Sequence, residues 1–123
     1  MSTALLKHLL FICSQNRWRS LTAEHLFQNS PQVEARSAGT EAGARVRVTA
    51  GHLGWADVVV VMEKRHADRL RQKFADALVG KPVVCLRIPD KYQYQDAKLV
   101  ALLQERIQAH FPDLDLPATT PNS

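Results

Sequence analysis

At 123 residues, 46% of them hydrophobic and 23% charged, the chain suits one soluble domain with a real core, and no apolar stretch is long enough to span a bilayer. A net charge of +4 leans toward anionic ligands only weakly; a solvated surface accounts for it, and nucleic acid stays open as a partner without being favoured. Two cysteines, Cys13 and Cys85, are too few for a disulfide framework and fit a reduced, cytoplasmic setting, while five scattered histidines offer no metal-ligand spacing.

Residues 1–12 carry Lys7 and His8 inside their apolar run and lack a small-residue cleavage site, so they read as a lead-in and a strand (about His8 to Ile12), not as a signal peptide. A helix is expected from near Ser20, whose hydroxyl can cap it and whose positive end Glu24 favours; Asn29-Ser30-Pro31 stops it. Val33 to Ser37 is a second strand, turned by Ala38-Gly39-Thr40. Residues 41–56 show no clear pattern beyond a short helix over Thr49 to Trp55. Val58 to Met62 is a β-branched run without polar interruption, the mark of a strand buried on both faces of a parallel sheet. His66, Leu70, Phe74 and Leu78 fall on one face of a helix over Glu63 to Leu78, with Lys64 to Lys73 as its solvated side and His66 as a structural residue. Val83 to Leu86 is the fourth strand, with Cys85 as core. A loop over Ile88 to Tyr94 follows, and Asp96 caps a last helix whose inner face is Leu99, Leu102, Leu103, Arg106 and Ile107.

Four strand–helix alternations predict an α/β three-layer sandwich: a four-stranded parallel sheet of order 2-1-3-4 with helices on both faces. It forms one domain over residues 1–111, followed by a loose tail from 112 to 123. Ligands of such folds bind at the carboxyl ends of the strands beside strand one. Cys13 and the loop holding Asp90 share that edge.

Strand one runs into Cys13-Ser14-Gln15-Asn16-Arg17-Trp18-Arg19-Ser20 and then a helix. Such a loop aims backbone N–H groups and a helix N-terminus at one spot, which favours an anion. The same dipoles favour a thiolate, so the stretch reads as a phosphate cradle with a nucleophile at its floor. Five residues separate Cys13 from Arg19, enough for the backbone to wrap three phosphate oxygens and bring a bidentate guanidinium back over them. Ser20 can donate to the thiolate, and Asn16 tolerates a left-handed turn. Trp18, Tyr92 and Tyr94 are candidates for a cleft wall, and each can equally pack the fold.

Phe11-Ile12-Cys13 through Arg19-Ser20-Leu21-Thr22-Ala23-Glu24 resembles the phosphate loop and first helix of the low-molecular-weight protein tyrosine phosphatases, in particular a short bacterial branch. Ser37-Ala38-Gly39-Thr40 resembles that family's SAGT turn, Trp55 through Glu63 its third strand and following acidic residue, and Ile88-Pro89-Asp90-Lys91-Tyr92 its acid loop. The resemblance implies a phosphomonoester hydrolase working through a cysteinyl-phosphate, with Cys13 as nucleophile, Arg19 on the phosphoryl oxygens and Asp90 as acid and base. It further implies phosphate binding by Ser14, Gln15, Asn16, Arg17, Trp18, Arg19 and Ser20, loop support from Asn16, Ser20 and Ser37, no metal or organic cofactor, and a phosphotyrosine protein or small phosphomonoester as partner.

The chain departs from the family at Gln15 (a glycine there), Arg17 (apolar), Trp18 (a second cysteine) and Lys91 (proline). Its 40–55 segment is short and shows no histidine to support the loop. Asp96 competes with Asp90 as the acid. An arsenate reductase, whose chemistry calls for resolving cysteines, and a non-catalytic anion-binding module are the alternative functions.

Overall fold

The computed structural model describes residues 7–114 and 116. Four strands, β1 (Lys7–Cys13), β2 (Val33–Gly39), β3 (Val58–Val61) and β4 (Val83–Cys85), form one parallel sheet in the order β2-β1-β3-β4. Helices α1 (Arg19–Leu26), α2 (Ala50–Trp55), α3 (Lys64–Phe74) and α4 (Ala97–His110) connect and cover them. This is the predicted order, and it follows from right-handed crossovers between parallel neighbours.

Side-chain alternation along β1 and β3 divides the core into two layers. Leu9, Phe11, Cys13, Val58 and Val60 pack with Ala23 and Phe27 of the α1 segment and Leu99, Leu103 and Ile107 of α4. Leu10, Ile12, Val59 and Val61 pack on the opposite face with Leu53 of α2 and Ala67 and Leu70 of α3. β1 and β3 are buried on both faces, as their uninterrupted apolar runs require.

Several expectations shift. The helix predicted through Leu78 breaks at Phe74, and a 3-10 turn over Ala75–Leu78 follows. β4 is a short, half-buried edge strand, so Cys85 packs at the margin of the second layer instead of inside it. Thr49 caps α2, which closes a stretch whose pattern was unclear. Of the tail expected from 112 on, Leu114 and Leu116 pack against the first core layer; its other residues beyond 114, like the lead-in over 1–6, lie outside the described residues. Among the described residues no helix is long and apolar enough to cross a membrane.

Parallel register sets Cys13 opposite Gly39, so β1 and β2 deliver their carboxyl ends side by side. There Gly39 lies so close to the loop that a Cβ would stand 2.4 Å from the Ser14 carbonyl oxygen and 2.6 Å from Ala44. Only glycine permits that approach.

Candidate active site

Five residues, 14–18, turn the chain from β1 into α1. Asn16 makes the turn possible at φ 57, in the left-handed region where asparagine is tolerated. The loop is pinned from outside. The amides of Thr40 and Glu41 donate to the carbonyls of Cys13 and Ser14, Arg45 N–H donates to Gln15 O, and Arg45 Nε donates to Asn16 O at 3.1 Å. Among the described residues the amides of Gln15, Arg17, Trp18 and Arg19 donate to no protein acceptor. That is the donor set an anion at a helix N-terminus requires.

Cys13 is buried at the base of the loop. Its Sγ lies 2.9 Å from Ser20 Oγ and accepts from the Asn16 amide at 3.3 Å. Asn16 Nδ2 donates to Ser20 Oγ at 2.8 Å, which leaves the serine proton free to donate to sulfur. Ser20 therefore does not cap α1, whose N-cap is Trp18 without a side-chain bond. Ser37 and Glu24 also act away from their expected partners: Ser37 Oγ donates to Glu24 Oε1 at 2.5 Å, tying β2 to α1 and reaching the loop only through that helix.

Arg19 is 3% exposed, and its charge has a partner that sequence reasoning did not assign. Nη1 donates to Glu63 Oε1 at 2.8 Å and to Ile88 O at 2.9 Å, while Nη2 lies 3.6 Å from Asp90 Oδ1. Arg65 Nε and Nη2 donate to the same Glu63 oxygen, and Arg65 comes within 4.0 Å of Asp90 Oδ2. Burial works against the ionised form of Glu63, but hydrogen bonds and charge from Arg19 and Arg65 hold its carboxyl below the usual range. A buried cation needs such a counter-ion.

His66, expected as a structural residue, has a partner in the loop that the sequence did not indicate. It is buried beneath the loop, where Nδ1 accepts from the Glu63 amide at 3.0 Å and Nε2 donates to Ser14 Oγ at 3.0 Å. Burial first, then the charges of Arg19 and Arg65, push it down to about 4 against the opposing pull of Glu63, so it is neutral at pH 7. A histidine that supports the loop, not evident from the sequence, is thus supplied by α3, since His52 of the 40–55 segment bonds Thr49 instead. The signal was present as a glutamate N-cap with histidine three residues on, a reciprocal capping pattern.

A small cleft of about 100 Å³ opens above the sulfur, lined by Cys13, Gln15, Arg17, Trp18, Arg19 and Asp90. Asp96 is not in it; its side chain caps α4, accepting from the Lys98 amide at 2.8 Å. Trp18 stands exposed at the mouth. Tyr92 and Tyr94 do not line the cleft: Tyr92 packs against the first core layer, and the Tyr94 hydroxyl bonds His25 Nδ1 at 2.6 Å. Cys85 lies on the other face of the sheet from Cys13. Among the described residues no group of three or more His, Cys, Asp or Glu gathers as a metal site would require.

No family model and no curated protein sequence matches the chain. Solved structures do. Wzb of Vibrio vulnificus, in complex with benzylphosphonate, is 24% identical with a TM-score of 0.71, over 89% of this chain and 100% of that one. A low molecular weight protein tyrosine phosphatase of Streptococcus pyogenes is 15% identical with a TM-score of 0.73, over 89% and 94%. The YwlE arginine phosphatase of Geobacillus stearothermophilus is 20% identical with a TM-score of 0.64, over 86% and 93%. With the strand order, the loop and the cleft in hand, the chain has the fold of the low-molecular-weight protein tyrosine phosphatases.

Proposed function

We propose that the protein is a cysteine-dependent phosphomonoesterase of the low-molecular-weight phosphatase type. One observation carries the reading: a sulfur with two donors on it, at the floor of a cleft that also holds Arg19 and Asp90. Cys13 attacks phosphorus, and the Sγ–P bond forms as the bond to the leaving oxygen breaks. Free loop amides and Arg19 hold the equatorial oxygens as charge spreads over them. Asp90 gives its proton to the leaving oxygen. It then takes one from the water that attacks the cysteinyl-phosphate, releasing phosphate and restoring the sulfur. The Asn16 amide and the Ser20 hydroxyl are the sulfur's donors, and Asn16 Nδ2 holds that hydroxyl in place.

The substrate is a phosphotyrosine protein or a small phosphomonoester. Trp18 at the mouth offers an aromatic platform, and Arg17, exposed and without an ion pair among the described residues, takes a second negative group. A nucleophilic thiol needs a reducing compartment, so the cytoplasm is its proposed place of work. Arsenate reduction is disfavoured, because a sheet separates Cys85 from Cys13.

Replacing Cys13→Ser should bring release of p-nitrophenol from p-nitrophenyl phosphate down to background. Activity retained in that variant removes the scheme. Phosphate binding by the wild type with no turnover that depends on Cys13 would favour an anion-binding module.

A further inference from the structure

Asp90 reaches the cleft from a segment with unusual backbone. Leu86 and Ile88 both bury their side chains in the first core layer, and their amides donate to the carbonyls of Val61 and Met62. Two residues on this chain thus face one on the other, as in a bulge, and the extra residue is Arg87 at φ 58. A left-handed arginine is strained and persists only where its surroundings hold it. The bulge ends at Ile88, whose carbonyl accepts from Arg19. Asp90 lies two residues beyond.

The outer side of the bulge is held by one side chain. Arg106 of α4 donates from Nη1 to Leu86 O at 2.6 Å and to Arg87 O at 3.1 Å. Among the described residues it has no carboxylate partner. Its charge is spent on two backbone carbonyls, which a charged donor satisfies more strongly than a neutral one. Arg19 and Arg106 therefore grip the same short segment from its two ends.

We propose that Arg106 is a positioning residue for the general acid: by fixing the bulge at Leu86–Ile88 it sets where the Asp90 carboxyl stands over the leaving oxygen. The inference rests on the reading of Asp90 as the acid. Misplacing an acid harms substrates in proportion to how much their leaving group needs a proton, whereas general loosening of the fold harms all substrates alike.

The test is kcat/KM across aryl phosphates, from dinitrophenyl (a good leaving group) to phenyl (a poor one), for wild type, Asp90→Asn and Arg106→Met. Both variants should steepen the leaving-group dependence, with Arg106→Met losing about tenfold more on phenyl than on dinitrophenyl phosphate. Arg106→Lys, which keeps one donor, should fall between, and it carries the comparison should Arg106→Met fail to fold. Arg87→Gly removes the strain at φ 58 and should lessen the Arg106→Met effect. A uniform loss with the wild-type slope in the Arg106 variants overturns the positioning role. A wild-type slope in Asp90→Asn instead removes Asp90 as the acid, and the role of Arg106 with it.

Discussion

The loop after β1 and the segment after β4 both end in the cleft, yet they are held by different means. Residues 13–20 are mostly buried and tied by their own side chains: Asn16 to Ser20, Ser20 to Cys13, with His66 and the 40–45 segment beneath and beside them. Residues 86–90 rise from a short edge strand, include exposed Arg87, Pro89 and Asp90, and depend on Arg19 and Arg106 reaching in from elsewhere. The first arrangement suits the roles proposed for it, a nucleophile and oxyanion donors that must not move. The second suits the role proposed for Asp90, a carboxyl that must meet leaving groups of different shapes. The sulfur's own hydrogen bonds come from within residues 13–20, with residues 40–45 and His66 pinning the loop from outside, whereas Asp90, the proposed acid, is placed by contacts distant in the chain alone.

That contrast makes the β1 loop the more sensitive of the two to acid. His66 is held down to about 4 from an ordinary 6.5, so its neutral form belongs to the folded state. Stability should be fully present above about pH 6.5 and fall as pH drops toward 4, by about 3 kcal/mol in all at about 1.4 kcal/mol per pH unit. Glu63, whose carboxyl Arg19 and Arg65 hold below the usual range, adds a loss of its own as pH falls below the ordinary carboxylate value, because the unfolded state takes up its proton first. Urea unfolding of wild type and His66→Gln between pH 7.5 and 4 checks this. The variant should be less stable at pH 7.5 and much flatter across the range. Equal slopes would place the acid sensitivity elsewhere.

A smaller effect belongs to the other side. Tyr94 bonds His25 on the surface and does not line the cleft, so Tyr94→Phe should cost about 0.5–1 kcal/mol at most and leave kcat/KM for p-nitrophenyl phosphate within about twofold. A large rise in KM would mean that the segment beyond Asp90 folds over the substrate.

What could be read from the chain follows the same division. The apolar run over Val58 to Met62 and the polar turn from Cys13 to Ser20 are local patterns with few physical solutions; the strand forms there, closing one residue early at Val61, the turn leads from β1 into α1, and the 2-1-3-4 order follows from the alternation of elements. The left-handed Asn16 belongs with them. Glu63 and His66 do not, because they meet Arg19 and Ser14 across 44 and 52 residues, and only the folded crossover through β3 brings them there. Ser20 suited two roles from its position, helix cap and donor to the thiolate; the hydroxyl goes to the sulfur and leaves α1 without a side-chain cap. Tyr92 and Tyr94 follow Asp90 closely in sequence, but the chain turns toward α1 after it.

A covalent bond between Cys13 and phosphorus is the central step of the proposed mechanism. Wild type and Asp90→Asn can be mixed with p-nitrophenyl phosphate, quenched in acid and digested for mass spectrometry. A phosphoryl group on the peptide carrying Cys13 is the expected result, provided attack on phosphorus outpaces its release. Phosphate released by the wild type with the label on another residue, or with Cys13 never modified under any quench time, would contradict it.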